Sequence, residues 1–145
     1  MIIRRMTEAD VAQVEVIEKS TFSIPWSYDS ILRACRDDNY ICIVCEENNH
    51  ILGYCLMWMS FDEGNITNVA VVCECRGQGI GTLIMQAVEK EGIKAGIKVF
   101  FLEVRESNTS AIHLYEKCGY KQLGIRKNFY EKPVENAIIM SRILA

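Results

Sequence analysis

Apolar positions change their spacing several times along the chain, and each change marks an element. Residues 1–6 alternate and predict a first strand. Thr7-Glu-Ala-Asp10 supplies a helix N-cap, and Val11, Val14, Ile17 and Glu18 carry a helical stripe to about Thr21. Pro25 biases Ile24 away from helix, so Phe22 to Ser27 reads as a break. Ser27 then caps a second short helix over roughly residues 28–36. Tyr40 to Glu46 and Ile51 to Ser60 are β-prone runs separated by Glu47-Asn-Asn-His50, which predicts a hairpin. Phe61-Asp-Glu-Gly64 reads as the following turn and Asn65 to Val72 as the next strand.

A glycine-rich loop, Arg76-Gly-Gln-Gly-Ile-Gly81, interrupts this β-rich stretch. Helical spacing follows at once in Ile80, Leu83, Ile84, Ala87, Val88 and Glu91, and Gly96 ends it as a C-cap. Val99 to Leu102 predicts a buried strand that runs out through Glu103-Val-Arg105. Ser107 or Asn108 caps a last helix with Ala111, Leu114, Tyr115 and Cys118 on its inner face, stopped by Gly119. Two final strands, about 120–128 and 136–143, predict a closing hairpin around the polar Phe129–Glu135 turn. The order β-α-α-β-β-β-α-β-α-β-β belongs to the α/β (α+β) class. It contains no repeat or linker, so residues 1–145 are expected to form a single domain.

Composition narrows the function classes. Half of the 145 residues are hydrophobic and 24% are charged, ordinary values for a chain with a buried core. The formal charge of −3 gives no overall pull toward nucleic acid or an anionic membrane. No apolar run approaches the ~20 residues that span a bilayer. Charges interrupt Met-Ile-Ile-Arg-Arg-Met before an export signal forms, so a cytoplasmic location is expected. Seven cysteines, an odd number without such a signal, argue against a disulfide framework. Cys42 and Cys45 stand three apart in a strand-like run, which sends their sulfurs to opposite faces. No Cys/His set has zinc spacing, and no metal is expected. Cys73 and Cys75 flank the glycine loop and are expected to be exposed and open to oxidation.

The glycine loop carries the chemistry. Its glycines allow a close backbone approach, several free N–H groups converge, and the helix N-terminus adds partial positive charge. That combination binds a phosphate or a pyrophosphate. One reading is a dinucleotide site, with Glu103, about twenty residues on, as the ribose-binding acid. Against it stand the spacing Gly77-x-Gly79-x-Gly81, the hairpin-joined strands before the loop, and the short chain. No G-x-x-x-x-G-K-[ST] segment exists, which excludes a nucleotide P-loop.

A more specific signal comes from several separated blocks. Arg76-x-x-Gly79-x-Gly81, then Asn108, then Ala111-x-x-Leu114-Tyr115-x-x-x-Gly119-Tyr120 resembles the GCN5-related N-acetyltransferases (GNAT) over the whole chain. Phe22-Ser-x-Pro-Trp26-Ser, Asp62-Glu-Gly-Asn-Ile-Thr-Asn68-Val-Ala-Val, Leu102-Glu-Val-Arg-x-Ser-Asn108 and Glu135-Asn-Ala-Ile-Ile-Met140 are similar to its RimI type, enzymes that acetylate the α-amine of a ribosomal protein. Two positions depart from that type. Asn136 replaces an acidic residue, and Phe129-Tyr130 replaces a tyrosine pair.

The resemblance implies a mixed, mostly antiparallel sheet of six to seven strands flanked by about four helices. It implies acetyl-CoA as co-substrate, with Arg76, Gly77, Gln78, Gly79, Ile80, Gly81 and Thr82 around the pyrophosphate. The backbones of Val69, Ala70 and Val71 would pair with the pantetheine arm, and Asn108 would bond it further down. An N–H near Val69 would polarise the thioester carbonyl. Glu103 becomes the candidate base and Tyr115 the candidate acid. Their plain alternatives are a solvated carboxylate and an aromatic on an inner helix face. Trp26, Asp62, Glu63 and Tyr130 are loop candidates for a peptide groove. The implied partner is the N-terminus of a ribosomal protein, with no direct nucleic-acid contact and a monomer or weak dimer as the assembly. Energetics favour that acceptor. Deprotonating an α-amine at pH 7 costs about 1 kcal/mol, a lysine about 4.6 kcal/mol. Two other functions stay open: transfer to a small-molecule amine or a lysine side chain, and a non-catalytic CoA-binding module.

Overall fold

Apolar alternation in Tyr40–Glu47 (β2) and His50–Ser60 (β3) produces two long strands that feed two cores. Ile41, Ile43 and Cys45 enter one core, Cys42 and Val44 the other. The sulfurs of Cys42 and Cys45 therefore do part to opposite faces, as the spacing requires. Asn48 and Asn49 turn the hairpin with φ of 51° and 66°, a conformation asparagine tolerates. This geometry comes from a computed structural model, which describes residues 1–144.

The sheet grows outward from this hairpin. Ile2–Arg5 (β1) joins one side. Glu63–Val71 (β4), Val99–Arg105 (β5), Lys121–Tyr130 (β6) and Glu135–Ile143 (β7) complete the other in the order β1-β2-β3-β4-β5-β7-β6. All neighbours run antiparallel except β4 and β5, which are parallel because a helix returns the chain between them. Val11–Thr21 (α1) and Tyr28–Arg36 (α2) cover one face through Val11, Val14, Ile17 and Ile31. Ile80–Lys94 (α3) and Thr109–Lys117 (α4) cover the other through Ile84, Met85, Val88 and Ile112. Each such side chain contributes about 1.5–3 kcal/mol when fully buried. A seven-stranded mixed sheet with four helices is the expected architecture.

Differences from the sequence reading lie at element ends and have local causes. A 3₁₀ turn, Glu8–Asp10, precedes α1. Asp10 stabilises it by accepting from the Thr7 N–H at 2.8 Å while pairing with Arg4 at 2.7 Å. Strand β4 starts at Glu63 instead of Asn65, so Gly64 is a strand residue and not part of the turn. A Cβ there would meet Met57 Sδ at 2.7 Å and Phe100 Cδ1 at 3.0 Å. The glycine thus makes room for the core, and Phe61, with φ of 55°, takes the turn. A second 3₁₀ turn, Cys73–Cys75, leads into the glycine loop.

One irregularity, in β4, opens the sheet. Parallel pairing of β4 with β5 covers only Glu63–Ile66 against Val99–Leu102. Beyond that point β4 bulges, since Leu56 faces Asn68 while Met57 faces Ile66. Thr67 is the extra residue, and its hydroxyl donates to Leu56 O at 3.2 Å. The bulge reverses the alternation. Ile66 lies on the α3 side, and so do Val69 and Val71, while Ala70 faces α1 and α2.

Candidate active site

Where β4 leaves β5, a cavity of ≈ 450 Å³ opens through the sheet. Val69 borders it, as do Leu102, Glu103 and Val104 of β5. Leu102 and Val104 point into the α3-side core, so alternation sends Glu103 and Arg105 to the α1/α2 side. Tyr115, on the inner face of α4, reaches the cavity from the α3 side. Glu103 and Tyr115 therefore meet one opening from opposite faces of the sheet. Burial pushes the Tyr115 phenol above its ordinary range, so it stays protonated near neutral pH. Glu103 is half-buried, and the exposed Arg126 lies 3.7 Å from its carboxylate.

The open edge of β4 belongs to alternate residues. Val72 N–H donates to Leu52 O at 2.8 Å, so Val72 and, by alternation, Ala70 address β3. Val69 and Val71 address the gap. The Val71 carbonyl accepts from Arg76 Nε at 3.0 Å, which fixes this direction. Of the three residues expected to offer backbone to a ligand arm, Ala70 is committed to Tyr54 of β3. Asn108 also lines the cavity. It is the N-cap of α4, its Oδ1 accepting from Ala111 N at 3.2 Å, which leaves its NH₂ group free of that duty.

The glycine loop lies at the C-terminal end of the same strand. Gly77 and Gly79 adopt φ of +78° and +84°, and a Cβ on either would meet nothing within 4 Å. Gly79 is the N-cap of α3, so the first-turn N–H groups behind it lack helical acceptors. Gly81 has a packing reason instead, because its Cβ would come within 2.9 Å of Leu114 Cδ2 on α4. Open space before the amides of a helix N-terminus fits a phosphate or diphosphate.

The peptide-groove candidates divide. Trp26 and Tyr130 border the cavity, together with Phe22, Ile24 and Phe129. Tyr130 has its phenol pushed up to about 12, first by burial and then by the Glu103 carboxylate. The structure does not bring Asp62 and Glu63 to this opening. Asp62 sits in the β3–β4 turn, its O accepting from Lys98 N at 2.7 Å, and Glu63 is not a loop residue but the first of β4, paired with Val99. That is the start of β5, whereas Glu103 lies toward its other end, about 13 Å along the strand at ~3.3 Å per residue.

Two residues absent from the expected site turn out to organise it. Arg105 donates to Pro133 O (2.9 Å), Glu131 O (2.7 Å), Glu135 Oε1 (3.1 Å) and Ser23 Oγ (3.2 Å), and it stacks 4.6 Å over Tyr130. It joins the β6–β7 turn to the segment after α1. Glu135 also accepts from Ser107 N at 2.6 Å, which holds its carboxyl below the usual range, and Arg105 adds to this. Glu18 is buried on α1 and accepts from the Tyr54 hydroxyl, from Trp26 N at 2.9 Å and from Asn68 Nδ2 at 3.0 Å. The signal for Glu18 was an acid inside an apolar helical stripe. Arg105 gave no comparable signal, because its partners are far away in sequence. Asn136, the unusual replacement, accepts from Asn128 N at 3.0 Å and so spans the irregular stretch of β6 before the same turn.

A sheet that parts at a bulge, beside an amide-lined helix start, is the arrangement the resemblance to CoA-dependent acyltransferases implies. This chain belongs to the Acetyltransferase (GNAT) family, whose profile matches residues 9–120. A chain from Bacillus subtilis (strain 168) is 41% identical over 95% of this chain and 92% of its own length. The [ribosomal protein bS18]-alanine N-acetyltransferase of Haemophilus influenzae is 34% identical, covering 97% of both chains. Among solved structures, the ribosomal-protein-S18-alanine N-acetyltransferase of Escherichia coli superposes with a TM-score of 0.90 at 28% identity, over 99% of this chain and 94% of that one. Mostly antiparallel pairing and this membership remove the dinucleotide reading. Among the described residues, no helix is long and apolar enough to cross a membrane.

Proposed function

We propose that residues 1–145 act as one unit that moves the acetyl group of acetyl-CoA to the N-terminal α-amine of a ribosomal protein of the bS18 kind. One observation carries this reading. The cavity at the β4–β5 divergence has a carboxylate on one face of the sheet and a protonated phenol on the other. Amine attack on a thioester sheds a proton that a base accepts and expels a thiolate that an acid protonates, and the two groups are placed to share those tasks. The relatives that support the acceptor choice are the acetyltransferases of Haemophilus influenzae and Escherichia coli described above.

The chain's own residues divide the work as follows. Amides of the Arg76–Thr82 loop and the α3 N-terminus hold the diphosphate of the co-substrate. The open edge at Val69 and Val71 pairs with its pantetheine arm, and the free amide of Asn108 bonds it further down. An N–H at Val69 receives the charge that develops on the thioester oxygen. The amine lone pair adds to the carbonyl carbon, and Glu103 accepts the proton the nitrogen sheds. As the carbonyl re-forms, the C–S bond breaks, and Tyr115 gives its proton to the departing thiolate. Glu103 then releases its proton and Tyr115 regains one from solvent. Trp26 and Tyr130 flank the path of the incoming peptide.

The test offers acetyl-CoA with a panel of acceptors: a peptide of the bS18 N-terminus, the same peptide with a blocked α-amine and a free lysine, polyamines and aminoglycosides. Mass spectrometry should find one acetyl group on the free α-amine. Acetylation confined to the lysine or to non-peptide amines overturns the acceptor assignment.

A further inference from the structure

We propose that Asn68, set by Glu18, is an acceptor-binding residue whose side-chain carbonyl takes a hydrogen bond from the attacking amine. The inference rests on the amine-acetylating function proposed above. Asn68 sits beside the bulge residue Thr67, is 6% exposed and lines the cavity on the Glu103 side of the sheet. Its Nδ2 donates to Glu18 Oε2 at 3.0 Å. A carboxylate only accepts, so this contact fixes which end of the amide faces Glu18. The other end, Oδ1, is buried and has no hydrogen-bond partner among the described residues. A buried carbonyl in that condition carries a standing penalty that a donor relieves.

Glu18 is itself immobilised. Tyr54, Trp26 N and Asn68 fill three of its acceptor positions, and it is 1% exposed. The network therefore acts as a jig: it fixes the direction of Oδ1, a buried oxygen on a residue of the cavity wall, so that an amine seated against Asn68 meets it. Thr21 Oγ1, on the same wall, is a second oxygen without a partner among the described residues. A neutral primary amine carries two N–H groups. One is directed at the base and lost, and the second needs an acceptor while the lone pair is aimed at the carbonyl carbon. Asn68 Oδ1 supplies that acceptor and so sets the amine's rotation.

The test pairs two peptides that differ only at the α-nitrogen, one primary and one N-methylated, with wild-type protein and Asn68→Ala. Wild type should prefer the primary amine in kcat/KM. Asn68→Ala should lose about tenfold on the primary amine, the scale of one hydrogen bond, and much less on the N-methyl one. Its KM for acetyl-CoA and its pH profile should stay as in wild type. Equal discrimination by both proteins overturns the assignment of Asn68 alone. A wild type inert toward every peptide overturns the underlying acceptor reading instead. Should Asn68→Ala fail to fold, a structure of the wild type with a covalent CoA–peptide conjugate decides. Oδ1 within about 3 Å of the amide nitrogen formed from the amine supports the proposal. Oδ1 bonded only to water overturns it.

Discussion

Gly79→Ala separates two costs that substitutions in a binding loop usually mix. Gly79 starts α3 with φ of +84°, and an added Cβ has no atom within 4 Å. The stability cost is then purely that of an L-residue in the left-handed region, about 1–2 kcal/mol. For a domain of this size that lowers Tm by roughly 3–8 °C. The binding cost has a different origin. The methyl enters the open space before the α3 amides, where the diphosphate is proposed to lie. Loss of one hydrogen bond to a charged group costs about 1.5–3 kcal/mol, or roughly tenfold or more in affinity. Thermal melting gives the first quantity. Steady-state rates with acetyl-CoA varied at saturating peptide, and then the reverse, give the second. The expected pattern is a modest fall in Tm, a KM for acetyl-CoA raised about tenfold or more, and an unchanged KM for peptide. A lowered Tm with the acetyl-CoA KM within about twofold of wild type would show that the loop does not hold the diphosphate.

Glu103→Gln and Tyr115→Phe should each lower turnover by ~10²-fold or more while calorimetry still detects CoA binding; full turnover in both variants removes the acid–base pair. Asp10 has its carboxyl held below the ordinary range, chiefly by the Arg4 hydrogen bonds. Its contribution is therefore complete above the unfolded value near 3.9 and is lost as pH falls through the lower folded value. The urea-midpoint gap between wild type and Asp10→Asn should shrink from pH 7 to pH 3, and a constant gap contradicts the pairing. All seven cysteines are free, with Cys73 exposed, whereas burial pushes the Cys42 thiol up to about 12 and Cys55 higher still. Limited alkylation should modify Cys73 well before Cys42 or Cys55, and uniform labelling of the folded protein would contradict this burial.

Much of the fold was legible because local chemistry and tertiary packing agree. Ser27 accepts from Ser30 N, Asn108 from Ala111 N, and Gly96 takes φ of +95°, so the predicted caps are physical. The bulge in β4 was readable in principle. Inward residues Ile66 and Val69 are three apart in a strand that otherwise repeats by two. What could not be read is which turns share an end of the sheet. Asp62 and Glu63 have the charge suited to an ammonium group, yet the β4–β5 register ties them to Val99. The Arg105 contacts to Ser23, Glu131 and Pro133 likewise depend on β7 inserting between β5 and β6, a long-range arrangement without a local sequence signature.

The slit between β4 and β5 also governs traffic. In the function proposed, the co-substrate lies on the Tyr115 side of the sheet and the acceptor approaches from the Glu103 side, so they would touch only in the plane of the strands. Separate approaches of that kind would let both be resident before any bond changes. On that reading a long polypeptide would be modified at its tip while the rest of it stays outside.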